Sequence, residues 1–325
     1  MREKVFTKEK WKNVNNQNKD LLYDYLTELR SMKRSSKTLY QYESDGKMIL
    51  CYIYDQMDNM NILNLTKKDF RRITLWLLEE REVSNARFNR IFALVRGMCG
   101  FAEDEDDYEY EKNIARKVRG LEKKPVREIL FLTDEQIHIL RNYLIENRMY
   151  RECVYLDLAY DSAARIGEIA QVHKHNLLEN RMTNVVIGKR GKKFRLLYHK
   201  NTLESLKLWL TYRGEDDLDE LFVSTRYTNK KALTKEALYE WCVKFRSILK
   251  ELDGEYIKFT PHSFRHSALE NYKRGTHYMC REIGRTFTIE ELQVLAHHES
   301  IDMTKSYLKK DDDDILSNMF NIDIT

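Results

Sequence analysis

A mainly α fold with a small β-hairpin, arranged as two domains, is predicted for this chain. Three observations carry that expectation. Only two prolines and 11 glycines occur in 325 residues, so helix breakers are few. Apolar residues recur at helical spacing over long stretches. One segment, 183–199, instead combines a β-branched run, a glycine-containing turn and an alternating run. At roughly 150 residues per domain the length corresponds to two domains, with room for a sizeable core.

In 21–30, Leu22, Tyr25, Leu26 and Leu29 fall at i, i+3, i+4 and i+7 and make one helix face. Ser35 and Ser36 can cap a second helix carrying Leu39, Tyr42, Met48 and Ile49. Thr66 caps a third over 67–83, with Phe70, Ile73, Leu77 and Leu78 on its buried face. Ser84 caps a fourth over 86–102 through Phe88, Ile91, Phe92 and Val95. Together these predict a helical bundle over residues 1–120. The acidic stretch 103–111 is followed by 116–128, where Gly120 and Pro125 break the pattern and the charge turns basic. Residues 121–132 are the expected linker. Thr133 restarts a helix with a Glu-Gln pair near the capping-box position, opening a second domain over 133–325. That domain contains the 183–199 hairpin with lysines at its tip and otherwise reads as helix. Neither repeats nor low-complexity tracts indicate a solenoid.

Apolar residues make up 42% and charged residues 33%, the balance of a soluble globular protein rather than a disordered one. No apolar run approaches the roughly 18 residues of a membrane span, and the first dozen residues are charged where a signal peptide would be apolar. The expectation is an intracellular, cytoplasmic protein. Cys51, Cys99, Cys153, Cys242 and Cys280 are scattered without a CxxC pair, so they read as buried thiols rather than a disulfide framework or a thiolate zinc site. The net charge of +4 lies wholly in the first part: residues 1–128 carry 26 basic against 22 acidic side chains, and 129–325 carry 30 of each. Segment 187–195 is strongly cationic, whereas 103–111 and 311–314 are anionic. A polyanionic partner fits that pattern, as does a solvated charged face.

Three segments hold candidate chemistry: SAARIGEIAQV at 162–172, TPHSFRHSALE at 260–270 and VLAHHESIDMTKSYL at 294–308. Singly each has an ordinary structural explanation. In order and together they resemble the tyrosine recombinase, or phage integrase, family. Its catalytic domain carries an Arg, a hairpin Lys, His-x-x-Arg, a Gly-His or similar pair, and a nucleophilic Tyr. The match runs through Arg165 and Glu168, Lys189, His262 and Arg265, His298, and Tyr307 nine residues later. Segments 35–45 and 84–98 resemble the family's helical DNA-clamping domain, so the likeness covers roughly residues 18–310.

The resemblance implies attack on a DNA phosphodiester. Charge accumulates on the non-bridging oxygens of a pentavalent phosphorus, which guanidinium forks suit better than ammonium groups; Arg165 and Arg265 are the candidate clamp. Tyr307 would attack as a phenolate, leaving a 3′-phosphotyrosyl link and a free 5′-hydroxyl. Its unperturbed pKa of about 10 calls for a base or positive field. His262 is the candidate base, Lys189 the candidate acid with Lys192 and Lys193 as rivals, and His298 a donor to the scissile phosphate. Glu168 is expected to hold His262 or an arginine. His297 stands where the family usually has Gly.

Further DNA contacts are expected from Arg190, Lys192 and Lys193 on the hairpin, Lys123, Lys124 and Arg127 in the linker, and Arg87 and Arg90 in the bundle. The linker residues read equally well as a solvated tether. No cofactor or metal is implied. A zinc set of His262, His266, His297 and His298 lacks a completing Cys or carboxylate, and Gly188–Gly191 lacks the GKS/T and following helix of a phosphate loop. The implied partner is double-stranded DNA bearing inverted-repeat sites. The implied assembly is a homo-tetramer on paired sites, with 311–325 (Ile315, Leu316, Met319, Phe320) exchanged between subunits. Site-specific recombination through a Holliday junction is the leading reading. Type IB topoisomerase-like cleavage and religation, and a non-catalytic DNA-binding regulator, are the alternatives. The Arg265–His298 spacing is longer than in the simplest relatives. Segment 274–287, with His277, Tyr278, Arg281 and Arg285, is thus either an added DNA-contacting loop or a longer connection.

Overall fold

The computed structural model describes residues 4–122, 129–224 and 230–309, and the chain divides into two compact units, 1–128 and 129–325. Among the described residues the first contains five α-helices: α1 (Lys8–Asn13), α2 (Asn16–Ser31), α3 (Ser36–Gln56), α4 (Lys67–Leu75) and α5 (Asn85–Asp104). Each begins where a side-chain oxygen takes a free amide of the first turn, from Thr7, Asn15, Ser35, Thr66 and Ser84 in turn. Leu22, Ile49, Phe70, Phe88 and Phe92 close the apolar faces of α2, α3, α4 and α5 on one core.

The helix expected over 67–83 is not a single α-helix. It passes into a π-helical turn, Trp76–Glu80, with Arg81 N–H donating to the Trp76 carbonyl at 2.9 Å. That wider turn lets both Trp76 and Leu77 face inward, and Trp76 stacks on Tyr52 with centroids 3.9 Å apart. Arg87 and Arg90 converge on the buried carboxylate of Asp45, at 3.6 and 2.9 Å. Lys123, Lys124 and Arg127 lie outside the described residues.

The second unit contains α6 (Asp134–Glu146), α7 (Tyr150–Ser162), α8 (Ile166–Ile169), β1 (Val186–Ile187), β2 (Lys193–Phe194), α9 (Lys200–Arg213), α10 (Lys235–Asp253), α11 (Pro261–Arg274), α12 (Tyr278–Ile283), α13 (Ile289–Leu295) and α14 (Ile301–Lys305). Thr133 and Gln136 cap α6 reciprocally. Helix α7 is the axis: every residue from Cys153 to Ser162 is buried, with α6, α9 and α11 packed around it. Its two buried carboxylates must be partnered. Asp157 accepts from Arg141 Nε at 3.1 Å, and Asp161 accepts from Thr202 Oγ1 at 2.6 Å, the His199 amide at 3.0 Å and Tyr278 Oη at 2.7 Å.

The hairpin is shorter than 183–199. Its strands pair only as Val186 with Phe194 and Ile187 with Lys193, extended by an isolated bridge between Met182 and Leu197. Val185 and Ile187 face solvent, so only one side has a core to bury and the ladder stays short. All five cysteines are buried and free. Segment 274–287 folds as a packed connection around α12. His277 is fully buried, Arg281 bonds Asp134 at 2.5 Å, and Arg285 bonds Glu291 at 2.9 Å. No helix among the described residues is long and apolar enough to cross a membrane. Segment 310–325, including the 311–325 exchange segment expected from the sequence, lies outside the described residues.

Candidate active site around Tyr307

Helix α8 presents Arg165. Glu168, one turn on and buried, accepts the Arg165 backbone N–H at 2.8 Å and its Nη1–H at 3.0 Å. One carboxylate thus fixes both the start of α8 and the direction of its guanidinium. Glu168 is therefore an arginine holder, one of the two roles expected of it. Gly188, at the mouth of the hairpin, approaches Glu168 so closely that an added Cβ would lie 3.2 Å from Oε1 and 2.6 Å from the Phe194 ring. A side chain there would push the hairpin off α8.

Helix α11 presents His262 and Arg265. It starts at Thr260 with Pro261 in its first turn and reciprocal Thr260–Ser263 bonding. Arg265 is only 1% exposed. Its Nη1 donates to the Ala163 carbonyl at 2.5 Å and its Nη2 to the Ala296 carbonyl at 2.6 Å. Burial and the nearby charge of Arg165 lower its pKa to about 10, so it remains a cation at neutral pH. Its Nε is buried without a hydrogen-bond partner among the described residues. An unmet donor of that kind is expensive in a plain core and serviceable beside an anion.

The turn between α13 and α14 presents the histidine pair. Arg265 Nη2 lies 2.6 Å from His298 Nε2, and an arginine nitrogen only donates, so Nε2 accepts. The proton then sits on Nδ1, which donates to Thr304 Oγ1 at 2.9 Å. Burial, then the charges of Arg265 and Arg165, push the His298 pKa down to about 3, which holds the ring neutral. Both ring nitrogens are occupied. His297 takes the left-handed backbone, φ 53°, stacks on Phe194 at 3.9 Å and accepts Lys192 Nζ on its carbonyl at 3.2 Å. Positive φ is where glycine is at no disadvantage, which accounts physically for the family's glycine at this place.

Tyr307 follows α14 and is 8% exposed, yet its surroundings are not apolar. His262, His266 and His298 have ring centroids 5.0, 4.4 and 4.8 Å from its ring, and the Arg265 guanidinium carbon lies 5.1 Å from its centroid. His262 is exposed at the rim; packing against its neighbours, then the charges of His266, Arg265 and Arg165, lowers its pKa below the usual imidazole range.

On the hairpin, Lys189 and Lys192 line one small cleft with Arg165 and His297. Arg190 pairs with Glu299 at 2.5 Å, and Lys193 is exposed on β2. Arg165, Arg265, His262, His298, Tyr307 and Lys189 are thus gathered in one region of the second unit, and Arg87 and Arg90 belong to the first. Sequence reasoning missed the roles of His266 and Thr304. His266 lies four residues after His262 on α11, so helical periodicity was the available signal for it; Thr304 meets His298 across a turn, and no local pattern marks that contact.

Comparisons with known proteins agree on one family. The model described as the phage integrase family matches residues 130–314. The SPbeta prophage-derived recombinase-like protein YomM of Bacillus subtilis (strain 168) is 24% identical over 92% of this chain and 89% of its own length. Tyrosine recombinase XerC of Leptospira interrogans is 23% identical over 84% and 83%. Among solved structures, a lambda integrase dimer bound to a COC′ core site superposes with a TM-score of 0.66 at 17% identity, covering 93% of this chain and 81% of that one. The Tn1549 transposon integrase in complex with transposon right-end DNA gives 0.66 at 14%, covering 93% and 98%. The fold is that of these integrases, and by its sequence the chain belongs to the phage integrase, or tyrosine recombinase, family.

Proposed function

We propose that this protein is a site-specific DNA recombinase that breaks and rejoins strands through Tyr307. The supporting observation is the convergence of Arg265 and His262 from α11, and of His298 from the turn between α13 and α14, on one tyrosine. In the proposed step the Tyr307 oxygen attacks phosphorus and the bond to the 5′-oxygen breaks, so the number of phosphoester links is unchanged. His262, neutral at pH 7, accepts the phenol proton. Lys189 supplies a proton to the departing 5′-oxygen; its rival Lys192 is engaged by the His297 carbonyl. Arg165 and Arg265 hold the non-bridging oxygens, and the unpartnered Arg265 Nε is a ready donor.

His298 supports Arg265 from behind. To donate to the phosphate it must first exchange its Arg265 bond for a phosphate oxygen and carry its proton on Nε2. Tyr307 covers the Arg265 guanidinium, so the phosphate can reach that group only as the ring moves aside.

The first unit is proposed as the DNA-clamping domain, with Arg87 and Arg90 dividing their charge between Asp45 and the backbone phosphates. Inverted-repeat DNA sites, a homo-tetramer and exchange through a Holliday junction complete the proposal. The support is fold likeness to a lambda integrase tetramer bound to a Holliday junction, TM-score 0.66 at 16% identity, covering 94% of this chain and 82% of that one. The test is a set of nicked suicide duplexes tiling the DNA that flanks the encoding gene. A denaturant-resistant protein–DNA adduct is expected, lost in Tyr307→Phe and reduced about 10² to 10³-fold in Arg165→Ala and Arg265→Ala. Binding without any adduct would favour a regulator. Adducts with supercoil relaxation but no junction intermediates would favour topoisomerase-like action.

A further inference from the structure

One face of α11 reaches past the Tyr307 ring to its main chain. His262, His266, Glu270 and Arg274 recur every fourth residue and line that face. His266 Nδ1 lies 2.9 Å from the Tyr307 carbonyl oxygen, and since a carbonyl only accepts, the imidazole donates. The same ring stacks on the Tyr307 ring at 4.4 Å and 25°. Two residues on, the Lys309 N–H donates to Glu270 Oε2 at 3.0 Å, and Leu308 between them is buried. Helix α14 ends at Lys305, so the carbonyl of residue 307 and the amide of residue 309 lie beyond its ladder, and α11 supplies a partner to each. Phe131 ties the two contacts together. Its ring sits edge-on to His266 at 6.0 Å, and Lys309 Nζ lies over it at 5.4 Å.

His266 and Glu270 are both buried, so water competes weakly for these bonds. The bonds act on the peptide that carries the hydroxyl, and a misplacement of about 1 Å at a reacting atom can cost on the order of 10²-fold in rate. We propose that His266 and Glu270 form a positioning clasp. It grips the main chain on both sides of Leu308 and sets where the Tyr307 hydroxyl lies relative to Arg165 and Arg265. The stack fixes the ring plane, and the two main-chain bonds fix the point from which the ring swings. This inference rests on Tyr307 being the nucleophile and adds the residues that place it.

Two measurements on the full chain separate the clasp from that underlying reading. Amide hydrogen exchange needs no DNA: the Lys309 amide is protected in the wild type and exchanges at least tenfold faster in Glu270→Leu, with a smaller increase in Glu270→Gln, which keeps an acceptor. Single-turnover adduct formation on the tiled suicide duplexes reads the consequence. His266→Phe keeps the ring stack and loses the donor; its rate falls about tenfold with duplex affinity within twofold of wild type. His266→Asn carries Nδ2 where Nδ1 stood and recovers to within about threefold. An unprotected Lys309 amide in the wild type overturns the clasp whatever the DNA result. So do wild-type adduct rates in both His266→Phe and Glu270→Leu, and so does His266→Asn being as slow as His266→Phe. Failure of the wild type to form any adduct removes the nucleophile and, with it, the positioning role.

Discussion

His297 shows how a single residue can be held against its own preference. Its φ of 53° costs a side chain about 1 kcal/mol relative to glycine, and the position persists because the ring stacks on Phe194. Replacing it separates the two effects. His297→Ala loses the stack and keeps the strain, whereas His297→Gly loses both. The glycine variant should therefore be the more stable by about 1 kcal/mol, the reverse of the usual order, as read from urea midpoints at constant slope. A second residue-scale prediction concerns Glu168. In Glu168→Gln one of the two Arg165 donors faces the amide nitrogen, itself a donor, where a carboxylate oxygen accepted it. Adduct formation should fall about tenfold with little change in duplex affinity, measured in single-turnover assays. Glu168 could be read from sequence because it lies three residues from its partner. The tautomer of His298 could not, because Arg265 is 33 residues away and Thr304 lies on α14, beyond the turn that holds His298.

At the scale of elements, helix starts were legible wherever a capping side chain acts locally. Ser35, Thr66, Ser84 and Thr133 all cap as expected. The π turn at 76–80 was not, because it is selected by Trp76 meeting Tyr52 across the bundle. Segment 274–287 had two readings, and within its own unit it contributes Tyr278 and Arg281 to contacts with Asp161 and Asp134. Tyr278 reaches Asp161, which also joins α7 to α9 through Thr202 and the His199 amide. Asp161→Ala should leave those donors buried and unpaired, destabilising the second unit by about 3 kcal/mol, whereas Tyr278→Phe removes one bond and should cost about 1 kcal/mol. Equilibrium urea unfolding measures both. The exposed Arg190–Glu299 pair, with side chains 71% and 46% exposed, should matter far less: Glu299→Gln should shift stability by under about 0.5 kcal/mol.

For the whole molecule, buried neutral histidines set an acid limit. His277 and His298 both have pKa values lowered below the ordinary imidazole range, chiefly by burial. Unfolding frees each ring to titrate near 6.5, so below that pH the unfolded chain binds more protons than the folded one. Stability is complete above about pH 7 and declines as the pH falls, by up to about 1.4 kcal/mol per pH unit for each such histidine. Urea unfolding between pH 7.5 and 5, followed at Trp209 and Trp241 in a chain with Trp11→Phe and Trp76→Phe, reads the slope. His298→Gln should reduce it by close to one proton. The ordered arginines, histidines and tyrosine were visible in sequence because each sits in a short recognisable segment. What the sequence hid were the contacts that aim them, such as the carbonyls of Ala163 and Ala296 on Arg265 and α11 on the Tyr307 main chain. Those bridges span tens of residues and leave no local periodicity. The decisive measurement is mass spectrometry of a trypsin digest of the trapped protein–DNA adduct. The nucleotide should be found on the peptide of residues 306–309, linked through phosphate to Tyr307. The same adduct mapped to any other of the chain's 20 tyrosines, or persisting in Tyr307→Phe, would contradict the mechanism.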